Sequence, residues 1–274
     1  MEKIQSAIAK ARAERRAKGG ESTSARFVHR AYAGESREDT AWDAIHLITP
    51  SMKRLRAQRI VTLDRGRDAV HFDKLRTRMM QQMQANNWRR VAITSPTMHS
   101  GKTTIALNLA FSLSRQVRSR VILSEMDLRK PSLRQILRVE TERDFAEVIN
   151  GNAFFEDNAI RVRQNLVVGM LQSPLSHPAE RLQDARLSET LDAIEEKYDP
   201  TVMMFDMPPF QVSDDVMAFA DKVDCMMIVA AAERTKMSEL DACEREVSNV
   251  SNVLGVVLNK CRYEAEDNAF EYYG

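Results

Sequence analysis

The sequence predicts an α/β fold, a mostly parallel β-sheet with helices on both faces, preceded by a helical and linker segment, and three observations predict it. From Trp88 onward, short apolar runs alternate with helical stretches, the rhythm of strands buried on both faces and joined by helical crossovers. The first run leads into Ser95-Pro96-Thr97-Met98-His99-Ser100-Gly101-Lys102-Thr103-Thr104, a strand, loop and helix context suited to holding phosphate. Later runs deliver carboxylates at their ends, and parallel sheets gather their ligands at the carboxyl ends of strands.

The elements follow in chain order. Residues 1–18 place Ile4, Ile8 and Ala11 on one side of a helix otherwise clothed in Lys, Arg and Glu, and Gly19-Gly20 stops it. Such a helix is either a solvated terminus or a docking element for a partner or an anionic membrane surface. From Gly19 to about Thr40 the composition is polar and aperiodic, as in a flexible linker. A polar helix is expected over Ala69 to Gln84, where Phe72, Leu75, Met79, Met80 and Met83 recur near helical spacing. Strands are expected at Val91 to Thr94, Val121 to Ser124, Leu166 to Met170, Val202 to Phe205, Met226 to Ala230 and Leu254 to Leu258. The chain thus divides into an N-terminal segment (1–68), a phosphate-loop domain (69–262) and a C-terminal tail (263–274).

Composition narrows the function classes. A chain of 274 residues can bury one substantial core, and a net charge of +1 makes no electrostatic case for nucleic acid as a partner. Cys225, Cys243 and Cys261 have neither metal-site spacing nor disulfide-scaffold density. No apolar run approaches the ~20 residues of a membrane span. A cytoplasmic protein is expected, held at a membrane only through a partner.

The chemistry is concentrated at strand ends. In the loop, successive backbone N–H groups and a helix N-terminus form a positive concavity, Lys102 can reach terminal phosphates, and the Thr103 hydroxyl can ligate Mg²⁺. The match to G-x-x-x-x-G-K-[ST] is incomplete, because Pro96 stands where the pattern asks for Gly. The second strand ends Ser124-Glu125-Met126-Asp127-Leu128-Arg129-Lys130-Pro131, and on an extended segment Glu125 and Asp127 point the same way. The fourth ends Phe205-Asp206-Met207-Pro208-Pro209, delivering one acid suited to holding Mg²⁺. The sixth ends at Asn259, whose amide could read a base edge. Read singly, Asp127 could be a helix cap, Arg129 a surface charge and Asp206 a turn residue; their order at successive strand ends argues for a site.

These residues resemble the bacterial tyrosine kinases (BY-kinases) of exopolysaccharide and capsule systems, over about residues 70–274. Ser95-Pro96 with Gly101-Lys102-Thr103 looks like that family's Walker A loop, Glu125 to Ser132 like its Walker A′ motif, and Phe205 to Pro209 like its Walker B. His177-Pro178-Ala179-Glu180 is similar to its connecting region. The resemblance implies a P-loop NTPase-type kinase domain that uses ATP and Mg²⁺ to phosphorylate tyrosine, chiefly on its own tail, where Tyr263, Tyr272 and Tyr273 lie. It implies that residues Pro96 to Thr104 cradle the nucleotide with Asn259, and that Lys102 neutralises phosphate charge. Thr103, Asp127 and Asp206 would hold the metal, Asp127 assisted by Glu125 would handle the tyrosine proton, and Arg129 would balance phosphate charge. A membrane-embedded polysaccharide chain-length determinant is the implied partner, with further copies of the chain itself.

Three positions depart from the family pattern. His99-Ser100-Gly101 stands in place of Gly-Glu-Gly, Glu125 replaces an Asp, and of the ring-forming Glu-x-x-Arg-x-x-Arg element, aligned with Val70, Asp73 and Arg76, only Arg76 matches. Two other readings are compatible with the same fold. A septum-site or partitioning ATPase would carry an extra lysine at the place of Thr97. A non-catalytic regulator of the membrane partner would bind nucleotide without turning it over.

Overall fold

The computed structural model describes residues 37–261; the helix expected over 1–18 and the tail tyrosines Tyr263, Tyr272 and Tyr273 lie outside them. Among the described residues, seven strands form one sheet in the order β3-β4-β2-β5-β1-β6-β7. They are β1 (Arg90–Thr94), β2 (Val121–Glu125), β3 (Ala159–Arg163), β4 (Leu166–Gly169), β5 (Val202–Asp206), β6 (Cys225–Ala231) and β7 (Asn252–Asn259). All neighbours are parallel except β3 and β4.

Alternation along the strands explains both cores. Ala92, Ile122, Met203, Phe205, Met226 and Ile228 face one apolar cluster. Val91, Ile93, Val121, Leu123, Val202, Met204, Met227 and Val229 face the other. A period of two therefore sends every second residue to each side, and helices must cover both. On the second side lie α3 (Val70–Asn86), through Met79 and Met83, and α4 (Lys102–Ser114), whose residues Ile105 to Ser114 are all buried. The first side is covered by α9 (Ala185–Tyr198) through Leu187, Leu191 and Ile194, and by α11 (Met237–Val250) through Cys243 and Val247.

Shorter helices complete the chain: α1 (Arg37–Asp43), α2 (Met52–Ala57), α5 (Leu133–Leu137), α6 (Ala146–Ile149), α7 (Phe155–Asn158), α8 (Pro178–Gln183) and α10 (Asp215–Phe219). The expected helix over 69–84 is present, entered by a 3₁₀ turn at Arg67–Ala69 and ended by Asn87 in the left-handed conformation. Strand β3 was not expected, because Arg161 and Arg163 interrupt its apolar run. It forms because β4 supplies an antiparallel partner across the turn at Gln164 and Asn165.

Residues 41–63 pack as part of the sheet's own cores. Trp42 and Ile45 are buried on one side and Leu55, Ile60 and Leu63 on the other, so this segment shares the cores on both faces of the sheet. The apolar residues here are too sparse to show a period. Each is buried by an element distant in sequence.

Candidate functional site

The topology places the loop after β1 beside the end of β5. Chain order would set β2 next to β1, but β5 lies between them, pairing Ile93 with Asp206 on one side and Asp206 with Glu125 on the other. On its far side β1 pairs with β6, so the strand order turns around β1 and opens a crevice at its carboxyl end. The loop is tied to this crevice. Thr94 Oγ1 donates to the Pro208 carbonyl at 2.8 Å, and Phe210 N donates to the Ser95 carbonyl at 2.8 Å.

The loop closes on itself through two serines. Ser95 Oγ and Ser100 Oγ donate to the Thr97 carbonyl at 2.8 and 3.0 Å. Pro96 and Ser100 are buried, Gly101, Thr97, Thr103 and Thr104 half-buried, and Met98 and His99 exposed. Gly101 starts α4 at φ 91°, and a Cβ there would stand 2.3 Å from Asn259 Nδ2. Only glycine fits. His99 is also left-handed, at φ 63°, and its carbonyl accepts from Lys260 Nζ at 2.5 Å.

Lys102 joins the two acids that the sequence reading placed with it. It is only 9% exposed, and its charge opposes the rise in pKa at both Asp127 and Asp206. Burial raises the Asp127 carboxyl above its ordinary value, against the Lys130 N–H that it accepts at 3.0 Å and against Lys102. Burial likewise pushes Asp206 up to about 7; Lys102 and a hydrogen bond from Thr103 pull the other way, while Glu125 and Asp127 add to the rise. Asp206 Oδ1 is buried without a hydrogen-bond partner. An unpartnered carboxylate oxygen beside a threonine hydroxyl and a second acid is a hard-oxygen donor set that a small divalent cation would complete.

Three expected site residues are engaged elsewhere. Glu125 is fully buried and turns inward: Oε1 accepts from Ser132 N and from Leu133 N at 2.8 Å, and Oε2 from Leu171 N at 3.0 Å. Its extra methylene lets one side chain anchor both the start of α5 and the segment after β4. Arg129 donates twice to the buried Asp215, at 2.7 and 3.0 Å, so its charge is held by a carboxylate. Asn259 spends its amide on the loop, Nδ2 donating to the Ser100 carbonyl at 2.8 Å and Oδ1 accepting from Lys260 N at 2.8 Å. It positions the loop. Similarly, Arg76 is bonded within its own subunit, to Asp73 at 3.2 Å and Ser112 Oγ at 3.1 Å.

Sequence reading missed Asp215 and Asn108. Asp214-Asp215 follows Pro208-Pro209 closely, and that proximity to a strand-end loop was the available signal. Asn108 offered none, since a lone amide inside a helical run announces no partner.

Comparison with known proteins agrees with this geometry. A sequence profile of the CobQ/CobB/MinD/ParA nucleotide binding domain matches residues 91–272. The tyrosine-protein kinase CpsD of Streptococcus agalactiae serotype III is 26% identical over 194 residues, covering 69% of this chain and 81% of that protein. The succinoglycan biosynthesis transport protein ExoP of Rhizobium meliloti is 27% identical over 260 residues, covering 90% of this chain and 32% of that protein. This chain therefore spans about a third of ExoP. Among solved structures, the kinase domain of VpsO superposes with a TM-score of 0.64 at 25% identity, covering 76% of this chain and 98% of that one.

Proposed function

The chain belongs to the CobQ/CobB/MinD/ParA nucleotide binding domain family, and on that premise we propose that it is an ATP-dependent protein-tyrosine kinase acting in exopolysaccharide or capsule production. The carrying observation is the meeting of buried Lys102 with Asp127 and with Asp206, whose Oδ1 has no partner, at the mouth of a loop that only glycine at 101 permits. The tyrosine-kinase relatives and the polysaccharide role in the name of ExoP support the reaction and its setting.

Each group has a task in such a transfer. Backbone N–H groups from Thr97 to Thr104 cradle the phosphates, and Lys102 neutralises charge as the γ-phosphoryl group moves. Thr103 and Asp206, with Asp127, hold Mg²⁺, which when bound supplies further charge neutralisation. Asp127, half-buried and above its ordinary pKa, orients the acceptor hydroxyl and takes its proton. Asn259 and Glu125 act from behind, fixing the loop and the segment that carries Asp127. Tyr263, Tyr272 and Tyr273 are the proposed acceptors. Phosphate adds about −1.5 to −2 charges to an already acidic tail and repels it from the acids of the site.

The transport role in the name of the relative ExoP supports a membrane-embedded chain-length determinant as the proposed activator; among the described residues no helix is long and apolar enough to cross a membrane. Purified protein incubated with ATP and Mg²⁺, with and without the cytoplasmic segment of that partner, is expected to form phosphotyrosine, and Lys102→Ala to abolish it. Absence of phosphotyrosine under both conditions refutes the kinase reading; nucleotide binding without turnover would replace it with a regulatory one.

A further inference from the structure

Beside the phosphate loop lies a cavity of about 650 Å³ lined by Arg59, Ala232, Glu233, Arg234, Lys260 and Cys261. Its walls come from the ends of β6 and β7 and from the segment that precedes the nucleotide-binding domain. Two hydrogen bonds join it to the loop, Lys260 Nζ to the His99 carbonyl at 2.5 Å and Asn259 Nδ2 to the Ser100 carbonyl at 2.8 Å. The volume falls within the range of small-molecule sites, ~300–1,000 Å³.

Arg59 is delivered to that wall by a buried clasp. Asn108, nearly two turns into α4 from the loop, is fully buried; its Nδ2 donates to the Arg59 carbonyl at 3.0 Å and to the Thr104 carbonyl at 2.8 Å. Its Oδ1 accepts from Val61 N at 2.8 Å and Thr62 N at 3.3 Å, and Thr62 Oγ1 donates to the Asn108 carbonyl at 2.7 Å. One amide thus holds the first turn of the loop helix and the backbone of Arg59 together. Arg59 itself sits at φ 63°, and the other walls repeat this, Glu233 at 61° and Lys260 at 62°. Left-handed non-glycine residues are strained and persist where the surroundings dictate them. Here they converge on one cavity.

We propose that Arg59 reads the nucleoside end of the nucleotide, its planar guanidinium stacking on the base, so that the segment before the family domain forms one wall of the site. The inference rests on the kinase reading only in requiring that the loop bind a nucleoside triphosphate. A guanidinium suits this role because it is planar, permanently charged and attracted to π faces. Arg59 is exposed and Lys260 and Arg234 stand on the same wall, so the competing role is a general attraction for phosphate.

Calorimetry of the full chain separates the two, using MgATP and magnesium tripolyphosphate as ligands. Arg59→Ala is expected to weaken ATP binding about three- to thirty-fold, the span of a cation–π contact between exposed and desolvated settings, and to leave tripolyphosphate binding unchanged. Arg59→Lys, which keeps the charge and loses the plane, is expected to fall between. Unchanged ATP affinity in Arg59→Ala overturns the inference, as does an equal loss for both ligands. Wild-type protein that binds tripolyphosphate as tightly as ATP overturns it too while leaving the phosphate site standing. Failure of the wild type to bind either ligand removes the kinase reading as well.

Discussion

Replacing Asn108 by alanine tests how firmly the N-terminal segment is joined to the nucleotide loop. The substitution strips the Val61 and Thr62 N–H groups of their side-chain acceptor and the Arg59 carbonyl of its donor. Thr62 is fully buried, whereas Val61 and Arg59 can recover water once the segment loosens. An orphaned buried polar group costs ~1–3 kcal/mol, and a group that reaches water costs less, so the total is about 2–5 kcal/mol. That is a large share of the ~5–15 kcal/mol that holds a typical domain together. Urea unfolding is expected to show a lowered midpoint at unchanged slope. Because the lost bonds, apart from the one to the Thr104 carbonyl within α4, join residues 59–62 to α4, trypsin is also expected to cut faster after Arg54, Arg56 and Arg59. Asn108→Asp sharpens the test: it keeps the acceptor but sets a second oxygen against the Arg59 and Thr104 carbonyls, so its loss should exceed that of alanine at neutral pH. A change below about 1 kcal/mol in Asn108→Ala, with no faster cleavage, would refute the clasp, since it is smaller than the cost of one orphaned buried group.

Two further outcomes follow from the buried acids. Burial moves Asp206 from its ordinary 3.8 to about 7, which at ~1.4 kcal/mol per tenfold in proton affinity is on the order of 4 kcal/mol. A folded-state pKa above the unfolded value means that stability is full below 3.8 and declines as pH rises through about 7. In chelator-treated protein Asp206→Asn is therefore expected to be the more stable form at pH 8, with the difference vanishing near pH 4; a wild type at least as stable as the variant at pH 8 contradicts this. For Glu125→Ala, three backbone N–H groups lose their acceptor, so about 3–6 kcal/mol and a melting point some 10–20 °C lower are expected. Lost activity at an unchanged melting point would instead mean that Glu125 works in the chemistry.

Much of the fold was readable because its signals are local. Fully buried strands such as Val121–Glu125 and Val202–Asp206 must be apolar throughout, so their positions stand out in one dimension. A loop that receives phosphate needs glycine, lysine and threonine within a few residues, so Gly101, Lys102 and Thr103 declared themselves. Asp127 and Asp206 were legible as strand-end acids, and the structure brings the charge of Lys102 to bear on both.

Side-chain direction was not legible in the same way. Glu125 and Asp127 lie two residues apart, at the end of the strand and just past it, yet one accepts from three backbone N–H groups and the other is coupled to Lys102. Arg129 and Asn259 look equally available in sequence; Asp215, 86 residues away from Arg129, and the Ser100 carbonyl, 159 residues from Asn259, claim them only once the sheet is assembled.

Residue type and spacing alone marked the fully buried parallel strands, the phosphate loop and the helix after it, and which charges could reach a phosphate. Tertiary structure decided which of those charges remain available and that Arg59 stands at a cavity beside the phosphate loop. The reason is physical: backbone conformation is governed by near neighbours, whereas a buried polar side chain takes whichever partner the packing of distant segments leaves within hydrogen-bond reach.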